Sequence, residues 1–264
     1  RYKGSIGAFI GCTSGKDPFK PSGKKTCTKL SMKVKINWKG RKQKFYDLTK
    51  LQFHSQNNDP SQMHERLGYW FFRSMGVPAP RSVHAKLIIN GTYLGLFALT
   101  EQIDGNFARY NFDESNGNLY KEVWPITEKG NPQDDKALLK GLKTNEKNNP
   151  NLDLMKRFGS LIAASDSIES RKVFSEYMDL DQVVSYAVVD RAIRNDDGVL
   201  HWYTDFSRSS NHNYYWYEEP IKKKIHLIPW DLDSAFENLT ATNPITFIPD
   251  KWGEISNDCK PFPY

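Results

Sequence analysis

The sequence predicts an α+β fold, formed as a single domain over residues 1–264. Period-two alternation dominates the first part, helical patterns dominate the middle, and two apolar segments flanked by acids come last. With 264 residues, of which 38% are hydrophobic and 13% aromatic, the chain can bury a core and is unlike a disordered protein. No run approaches the roughly 20 apolar residues of a membrane helix, so no membrane span is expected.

Strand signals dominate residues 1–125. Residues 32–38 alternate apolar and polar side chains, which predicts a strand with one buried face. Residues 85–89 and 93–99 flank an Asn-Gly pair, and that combination is a strong short-range signal for a β-hairpin. Residues 119–123 can supply a further short strand.

One helix is predicted within this strand-rich part. Asp59 is a plausible N-cap, Pro60 suits the first turn, and the helix is expected to end before Gly76. The apolar residues that fall on one face of this helix are Met63, Leu67, Trp70 and Phe71.

The rest of the chain is predicted to be mainly helical. Residues 126–150 are polar and rich in Asn, Gly and Pro, which indicates a linker or an insertion. Within residues 151–264, helices are expected at 152–164 and 170–178, and Asp179 is expected to cap a third helix that looks deeply buried. The residues that suggest this burial are Val183, Val184, Ala187, Val188, Arg191 and Ala192.

Acids and amides gather at three places late in the chain. The first is the turn at residues 195–198, where the Asp197 carboxylate could accept a hydroxyl proton and Asp196 competes for the same role. The second is Asn213, which precedes the apolar strand at 214–217. From that position its amide oxygen can reach a metal without adding charge.

The third place follows another apolar strand, at residues 227–230. Asp231 and Asp233 are two residues apart, so on extended chain both can face one pocket, and such hard oxygen ligands suit Mg²⁺. A base followed by an Asn and then an Asp is the order in which phosphoryl-transfer sites collect a base and two metal ligands.

Each of these positions also has an ordinary structural explanation. Asp197 can form an Asx turn or a helix C-terminal cap, and Asn213 can cap a strand. Asp231 and Asp233 can belong to a solvated turn. Together and in this order, however, the three motifs are more specific than any one of them.

The basic residues leave two interpretations open. The formal charge of +6 comes mostly from the first fifty residues, which either form a solvated basic face or meet a polyanion or nucleotide phosphates. Nucleic acid is not expected as a partner, because the basic run lacks repeated aromatic interleaving and no zinc or helix-turn-helix signature follows it.

Cysteines and glycosylation sequons bear on the compartment. Cys12 and Cys27 could close a short loop in an oxidising compartment, which would leave Cys259 free or paired elsewhere. Sequons begin at Asn90 and Asn238 and permit N-glycosylation if the protein is secreted. Neither signal decides the compartment.

The motifs resemble those of the CotH kinases, atypical protein kinases first associated with bacterial spore coats and also found as surface proteins of some fungi. The resemblance covers nearly the whole chain. The matching segments are residues 1–5, 29–34, 59–72, 90–95 running on to Glu101, 195–198, 212–215 and 228–233.

The resemblance implies a bilobal kinase-like fold with a strand-rich first lobe and a helical second lobe. It also implies ATP-dependent phosphorylation of Ser or Thr in a protein substrate, with Mg²⁺ or Mn²⁺. A monomer at the cell or spore surface, or secreted, is expected. In place of a kinase, the same fold could serve as a surface adhesin, an invasin or a pseudokinase, and a metal-dependent phosphohydrolase would use the same acids with water as acceptor.

The family pattern also implies roles for individual residues. Asp197 would be the catalytic base, and Asn213, Asp231 and Asp233 would hold metal. The residues expected to contact or support the nucleotide are Lys29, Glu101, Lys121 and Asp196. Residues 199–211 depart from the family pattern, because they lengthen the loop between the base and the first metal ligand.

Overall fold

The computed structural model describes residues 29–40, 42–56, 59–204 and 209–236. Groups of antiparallel strands and groups of helices both occur in this part of the chain, so the predicted α+β class is confirmed. The division into two lobes stays a prediction. Among the helices of the described residues, none combines the length and the apolar character that crossing a membrane requires.

The first sheet has four antiparallel strands. They are β1 (Met32–Lys35), β2 (Lys50–His54), β3 (Ser82–Ile89) and β4 (Thr92–Thr100), in the spatial order β1-β2-β4-β3. The predicted strand at 32–38 is confirmed, although it ends at Lys35.

The predicted hairpin is confirmed as β3 and β4. The connecting Asn90 and Gly91 have φ values of 50° and 79°. Positive φ at both central residues is what a two-residue turn needs to match the twist of the strands, and Asn-Gly supplies it at little cost. The sequon asparagine Asn90 therefore lies exposed at the tip of this hairpin.

Helix α1 (His64–Ser74) connects the middle of this sheet to its edge, and it begins later than predicted. The Asp59 carboxylate accepts hydrogen bonds from the backbone N–H groups of Gln62 and His64, each at 2.8 Å. Asp59 thus binds both the turn ahead of the helix and the first N–H of α1, although Met63 is the residue that directly precedes the helix.

The predicted face of α1 is not the buried one. Leu67 and Trp70 are exposed, whereas Tyr69 and Phe72 are fully buried. Glu65 lies on the same buried face, fully shielded from solvent. A buried carboxylate breaks the apolar pattern from which the face was predicted, so the pattern pointed to the wrong side.

The second sheet is antiparallel and consists of β5 (Leu119–Lys121), β8 (Tyr214–Glu219) and β9 (Lys224–Pro229), with β8 in the centre. The strands predicted at 119–123, 214–217 and 227–230 are confirmed. A separate two-stranded ribbon joins β6 (Tyr203–Thr204) to β7 (Ser209–Ser210).

Strand β8 is buried on both faces. Tyr214 and Trp216 belong to the larger hydrophobic cluster, which α1 and the later helices share. Tyr215 and Tyr217 point into a second cluster around Phe107. A strand that packs on both sides is held rigidly, so the residue before it, Asn213, has a fixed position.

Five further α-helices lie in the described part of the chain. They are α2 (Gly105–Asn111), α3 (Asp135–Gly141), α4 (Asp153–Ala164), α5 (Ser167–Tyr177) and α6 (Leu180–Ala192). The last three confirm the predicted helices, while α2 was not predicted. Helix α3 lies inside the stretch expected to be a linker or an insertion.

Helix α6 begins as predicted but is less buried than predicted. The Asp179 carboxylate accepts hydrogen bonds from the backbone N–H groups of Asp181 and Gln182, which satisfies donors at the helix start. Val184 and Val188, however, are exposed. Apolar residues occur all round this helix, so only some of them can face the core.

Candidate active site

Asn213 and Asp231 lie at the same end of the second sheet. Tyr214 pairs with Pro229 across β8 and β9, and the Trp230 N–H donates to the Asn213 carbonyl oxygen at 3.0 Å. Both residues adopt positive φ, 63° for Asn213 and 55° for Asp231. Asn and Asp tolerate this region better than most residues, so the local chemistry suits the strand ends.

The turn that carries Asp197 is built on a buried network at the end of α6. Arg191 Nη2 donates to Asp190 Oδ2 at 2.7 Å and to the Asn195 carbonyl at 3.0 Å. Asn195 Nδ2 donates to Asp190 Oδ1 at 2.8 Å. Burial raises the pKa of Asp190 to about 6, with Arg191 opposing the shift. The network fixes the backbone immediately before Asp197.

Asp196 points into this network instead of toward Asp197. It is 1% exposed, and its Oδ1 lies 3.4 Å from Arg191 Nη1. Burial raises its pKa, and Arg191 opposes the shift. Its expected contact with the nucleotide therefore stays a prediction without geometric support.

The Asn213 side chain binds the expected base. Its Nδ2 donates to the Asp197 carbonyl oxygen at 2.9 Å and to Asp197 Oδ2 at 2.8 Å. Within the described residues no hydrogen bond engages the Asn213 amide oxygen. That oxygen is the atom available to a cation, while the amide nitrogen orients Asp197.

Two more side chains donate to the other oxygen of Asp197. His212 Nε2 lies 2.7 Å from Asp197 Oδ1, and the Tyr203 hydroxyl donates to the same atom at 2.5 Å. Their rings stack at 5.0 Å between centroids. The hydrogen bond to Asp197 is the main cause of a raised His212 pKa, and Glu122 and Asp231 add to it. Residues 199–211 thus reach the base through Tyr203.

Glu122 is a site residue that the sequence did not reveal. Its Oε1 accepts from the Asn213 N–H at 3.2 Å and lies 3.0 Å from Lys121 Nζ. Lys121 Nζ is also 5.9 Å from the centre of the Tyr215 ring. The predicted nucleotide contact Lys121 is therefore placed beside the strand end that carries Asn213.

Asp231 also belongs to a group of three side chains that is able to hold a cation. One ligand atom from each of His54, Glu65 and Asp231 lies within 4.8 Å of the others. Glu65 Oε1 is 2.5 Å from His54 Nδ1, and Asp231 Oδ1 is 3.9 Å from the same nitrogen. The Tyr69 hydroxyl accepts the Asp231 N–H at 2.9 Å. Strand β2 and helix α1 thus meet the second sheet at Asp231.

This donor set fits a divalent cation. Its two carboxylates are hard ligands of the kind that Mg²⁺ and Mn²⁺ take, and the His54 imidazole is a ligand more typical of Zn²⁺ or Fe²⁺. Glu65 is completely buried, and two buried or half-buried carboxylates at such close range are favoured when a cation lies between them. The Asp231 side chain keeps 39% of its surface accessible, so a ligand can approach it.

Asp233 follows in a one-turn 3₁₀ helix, Leu232–Ser234. Its carbonyl oxygen lies 3.0 Å from His64 Nδ1 at the start of α1. Gly68 of α1 comes so close to this segment that a Cβ there would lie 2.8 Å from Leu232 Cδ1. The contact links the metal-ligand segment to α1, and a role of the Asp233 carboxylate in metal binding stays a prediction.

Two other predicted residues lie apart from Asp197 in the contacts that the structure records. Glu101 forms a two-pronged ion pair with Arg81, at 2.6 Å from Nη2 and 3.0 Å from Nε, and its support of the nucleotide stays a prediction. Lys29 Nζ lies 5.4 Å from the centre of the Phe97 ring. Burial lowers the Lys29 pKa, and Asp59 opposes that shift.

Sequence reasoning missed five contributors to this site: His54, Glu65, Glu122, Tyr203 and His212. Only His212 had a usable signal, since it directly precedes Asn213. The others come from separate elements, and only the folded chain brings them together.

Comparison with models of protein families gives a match over most of the chain. The family model described as CotH kinase protein matches residues 1–260, which include all the motifs that carry the resemblance. None of the curated proteins searched matches the chain.

Proposed function

The chain belongs to the CotH kinase family, and from this premise we propose that it transfers the γ-phosphate of ATP to a Ser or Thr hydroxyl of a protein substrate. The observation that carries the proposal is the Asn213 side chain, whose amide nitrogen binds Asp197 and whose amide oxygen is left for a cation. A base and a metal ligand joined in this way suit phosphoryl transfer, in which positioning and charge stabilisation do most of the catalysis.

In this proposal Asp197 accepts the proton of the acceptor hydroxyl while the hydroxyl oxygen bonds to the γ-phosphorus. The bond from that phosphorus to the bridging oxygen breaks, and ADP leaves. Asn213, His212 and Tyr203 hold its carboxylate in one orientation. Such fixed orientation matters, because a base misplaced by about 1 Å can cost a hundredfold in rate.

The residues proposed to hold Mg²⁺ or Mn²⁺ are Asn213, Asp231, Glu65, His54 and, with less direct support, Asp233. A cation bound there would neutralise negative charge on the phosphates of ATP. Lys121 places a positive charge near Asn213, because Lys121 pairs with Glu122 and Glu122 accepts the Asn213 N–H. Contacts of Lys29, Glu101 and Asp196 with ATP remain part of the proposal, as does a monomer that is secreted or at the cell surface.

Incubation with radiolabelled ATP, Mg²⁺ or Mn²⁺ and a Ser-rich acceptor protein tests the proposal. We expect label on the acceptor, and we expect Asp231→Ala to abolish it. Glu176→Ala, at an exposed position of α5, is the matched control and should transfer normally. Equal labelling by Asp231→Ala would contradict the assignment.

The alternatives predict other results in the same assay. A phosphohydrolase would release free phosphate without labelling protein. A surface adhesin or a pseudokinase would label nothing.

A further inference from the structure

A pocket of about 790 Å³ opens beside the proposed active site. We name it the lysine pocket, after three lysines in its wall. Its wall includes Lys121, Trp124, Lys140, Lys143, Trp202 and Asn211. None of the roles proposed for the active site uses this cavity, apart from Lys121 at its edge.

Three residues in the wall of the lysine pocket contact or directly precede residues of the proposed active site. Glu122, in its wall, accepts the N–H of Asn213. Trp202 precedes Tyr203, which donates to Asp197, and Asn211 precedes His212, which also contacts Asp197. A chain segment lying in the pocket would therefore be next to the proposed base.

One wall of the pocket is aromatic and is formed by the loop that departs from the family pattern. Trp202 stacks on Trp124 with 5.7 Å between ring centroids, and Trp202 remains 37% exposed. Trp124 Nε1 donates to Asn211 Oδ1 at 2.8 Å, and the Asn211 amide donates back to the Val199 carbonyl. These bonds hold the described ends of the loop against the pocket.

The charged residues of the wall are three lysines and two glutamates, Glu122 and Glu128, so their formal charges sum to a positive value. Lys121 is paired with Glu122, whereas Lys140 makes no ion pair with any residue that the structure describes. Lys143 Nζ donates only to the backbone carbonyls of Lys140 and Leu142 in the recorded contacts. Burial lowers the Lys143 pKa and the nearby charge of Lys121 lowers it further, while Glu146 and Glu122 oppose the shift. An anion in the pocket would relieve this repulsion.

We propose that the lysine pocket binds an acidic side chain of the protein substrate, close in sequence to the Ser or Thr that receives the phosphate. The inference deepens the proposed kinase function and rests on it. Charge complementarity selects an acidic occupant over a basic one, since Lys140 and Lys143 would repel a cation. The exposed Trp202 face adds apolar contact for the neighbouring backbone of the same segment.

A binding assay without ATP tests the pocket independently of catalysis. Two fluorescent peptides carry one Ser each and differ only in having Glu or Lys at the flanking positions. We expect the protein to bind the Glu peptide more tightly, and Lys140→Glu with Lys143→Glu to weaken that binding roughly tenfold. The preference should also shrink as salt is raised.

The control carries the same change in charge at Lys136 and Lys172, which are exposed and do not line the pocket. It should keep the preference for the Glu peptide. Equal binding of the two peptides by the unmodified protein, or equal weakening by the control, would overturn the inference.

Phosphate transfer to the same peptides separates this inference from the kinase proposal. Preferential binding without transfer to either peptide would contradict kinase activity and leave the pocket assignment standing. Transfer to both peptides at equal kcat/KM would overturn the pocket assignment and leave the kinase proposal standing.

Discussion

Asn213 combines two tasks at the scale of a single residue. Its amide nitrogen donates to Asp197 Oδ2 at 2.8 Å, and its amide oxygen is left for a cation. A carboxylate in the same place could bind a cation, but it would have no proton to donate to Asp197. The structure therefore explains why an amide, and not an acid, occupies this strand end.

Replacing Asn213 with Asp distinguishes these two tasks. We expect the Asn213→Asp variant to lose activity by about a hundredfold or more, because two carboxylates would face each other where one hydrogen bond now forms. Asp also tolerates positive φ, so the backbone should be little affected. Steady-state phosphate transfer measures the effect, with Asn116→Asp at an exposed loop position as control. Activity close to that of the unmodified protein would show that metal binding alone is the role of Asn213.

Glu218 gives a prediction about pH at the far end of β8. Burial is the main reason that its pKa is raised from the usual 4.5 to about 7. Because the folded chain favours the protonated form, this group's contribution to stability is greatest below pH 4.5 and is lost as pH rises to about 7. The loss is on the order of 3 kcal/mol in the free energy of unfolding.

Glu218→Gln should remove this dependence. We expect the variant to be more stable than the unmodified protein at pH 8 and about equally stable near pH 4, because Gln stays neutral throughout. Urea denaturation at a series of pH values measures the difference. An unchanged slope of stability against pH between 5 and 7 would contradict the prediction.

Sequence could identify some of the site residues but not their partners. Asp197, Asn213 and Asp231 stand in a recognisable order. The structure joins Asn213 to Asp197 and places Asn213 and Asp231 at the same end of the second sheet. Adjacent acids such as Asp196 and Asp197 look alike in the sequence. Only the position of Arg191 decides which of them turns inward.

At the scale of elements, the turn at 195–198 depends on a glycine for steric reasons. A Cβ at Gly198 would lie 2.2 Å from Asn195 Nδ2 and 3.1 Å from Asp190 Oδ1. Both of those residues are fully buried, so neither can move aside freely. Because Gly198 has no side chain, Asn195 and Asp190 can occupy the space next to it and form the network that precedes Asp197.

Gly198→Ala should therefore impair the turn and the base together. We expect a loss of about 1–3 kcal/mol in the free energy of unfolding, as for other overpacked sites, and a marked fall in kcat. Gly105→Ala is the control, because a Cβ there would meet only Arg109 Nη1 at 3.7 Å. Thermal denaturation and phosphate transfer measure the two effects. A Gly198→Ala protein with normal stability would contradict this account of the turn.

Elements could be predicted from sequence where local chemistry determines them. The Asn90-Gly91 hairpin and the Asp179 cap depend on neighbouring residues alone, and both predictions are confirmed. The buried face of α1 depends on distant contacts. Glu65 is buried because His54 and Thr100 bind it, and neither is near it in sequence.

At the scale of the whole molecule, the second sheet is the support on which the site is assembled. β8 is buried on both faces, so Asn213, which directly precedes it, has little freedom to move. Asp231 follows the neighbouring strand β9 and is restrained in the same way. His54 from the first sheet and Glu65 from α1 reach Asp231 from the other side. A cation at Asp231 would therefore join parts of the chain that are far apart in sequence.

This arrangement predicts that nucleotide and metal stabilise the whole fold. A ligand that binds only the folded chain, at a hundred times its Kd, adds about 2.7 kcal/mol to the free energy of unfolding. For a chain of this size we expect ATP with Mg²⁺ or Mn²⁺ to raise Tm by roughly 5 °C or more. Differential scanning fluorimetry measures the shift, and Asp231→Ala should reduce it while Glu176→Ala should not. No shift at millimolar ATP and metal would favour a binding protein that keeps the kinase fold as a scaffold, because an active kinase must bind both.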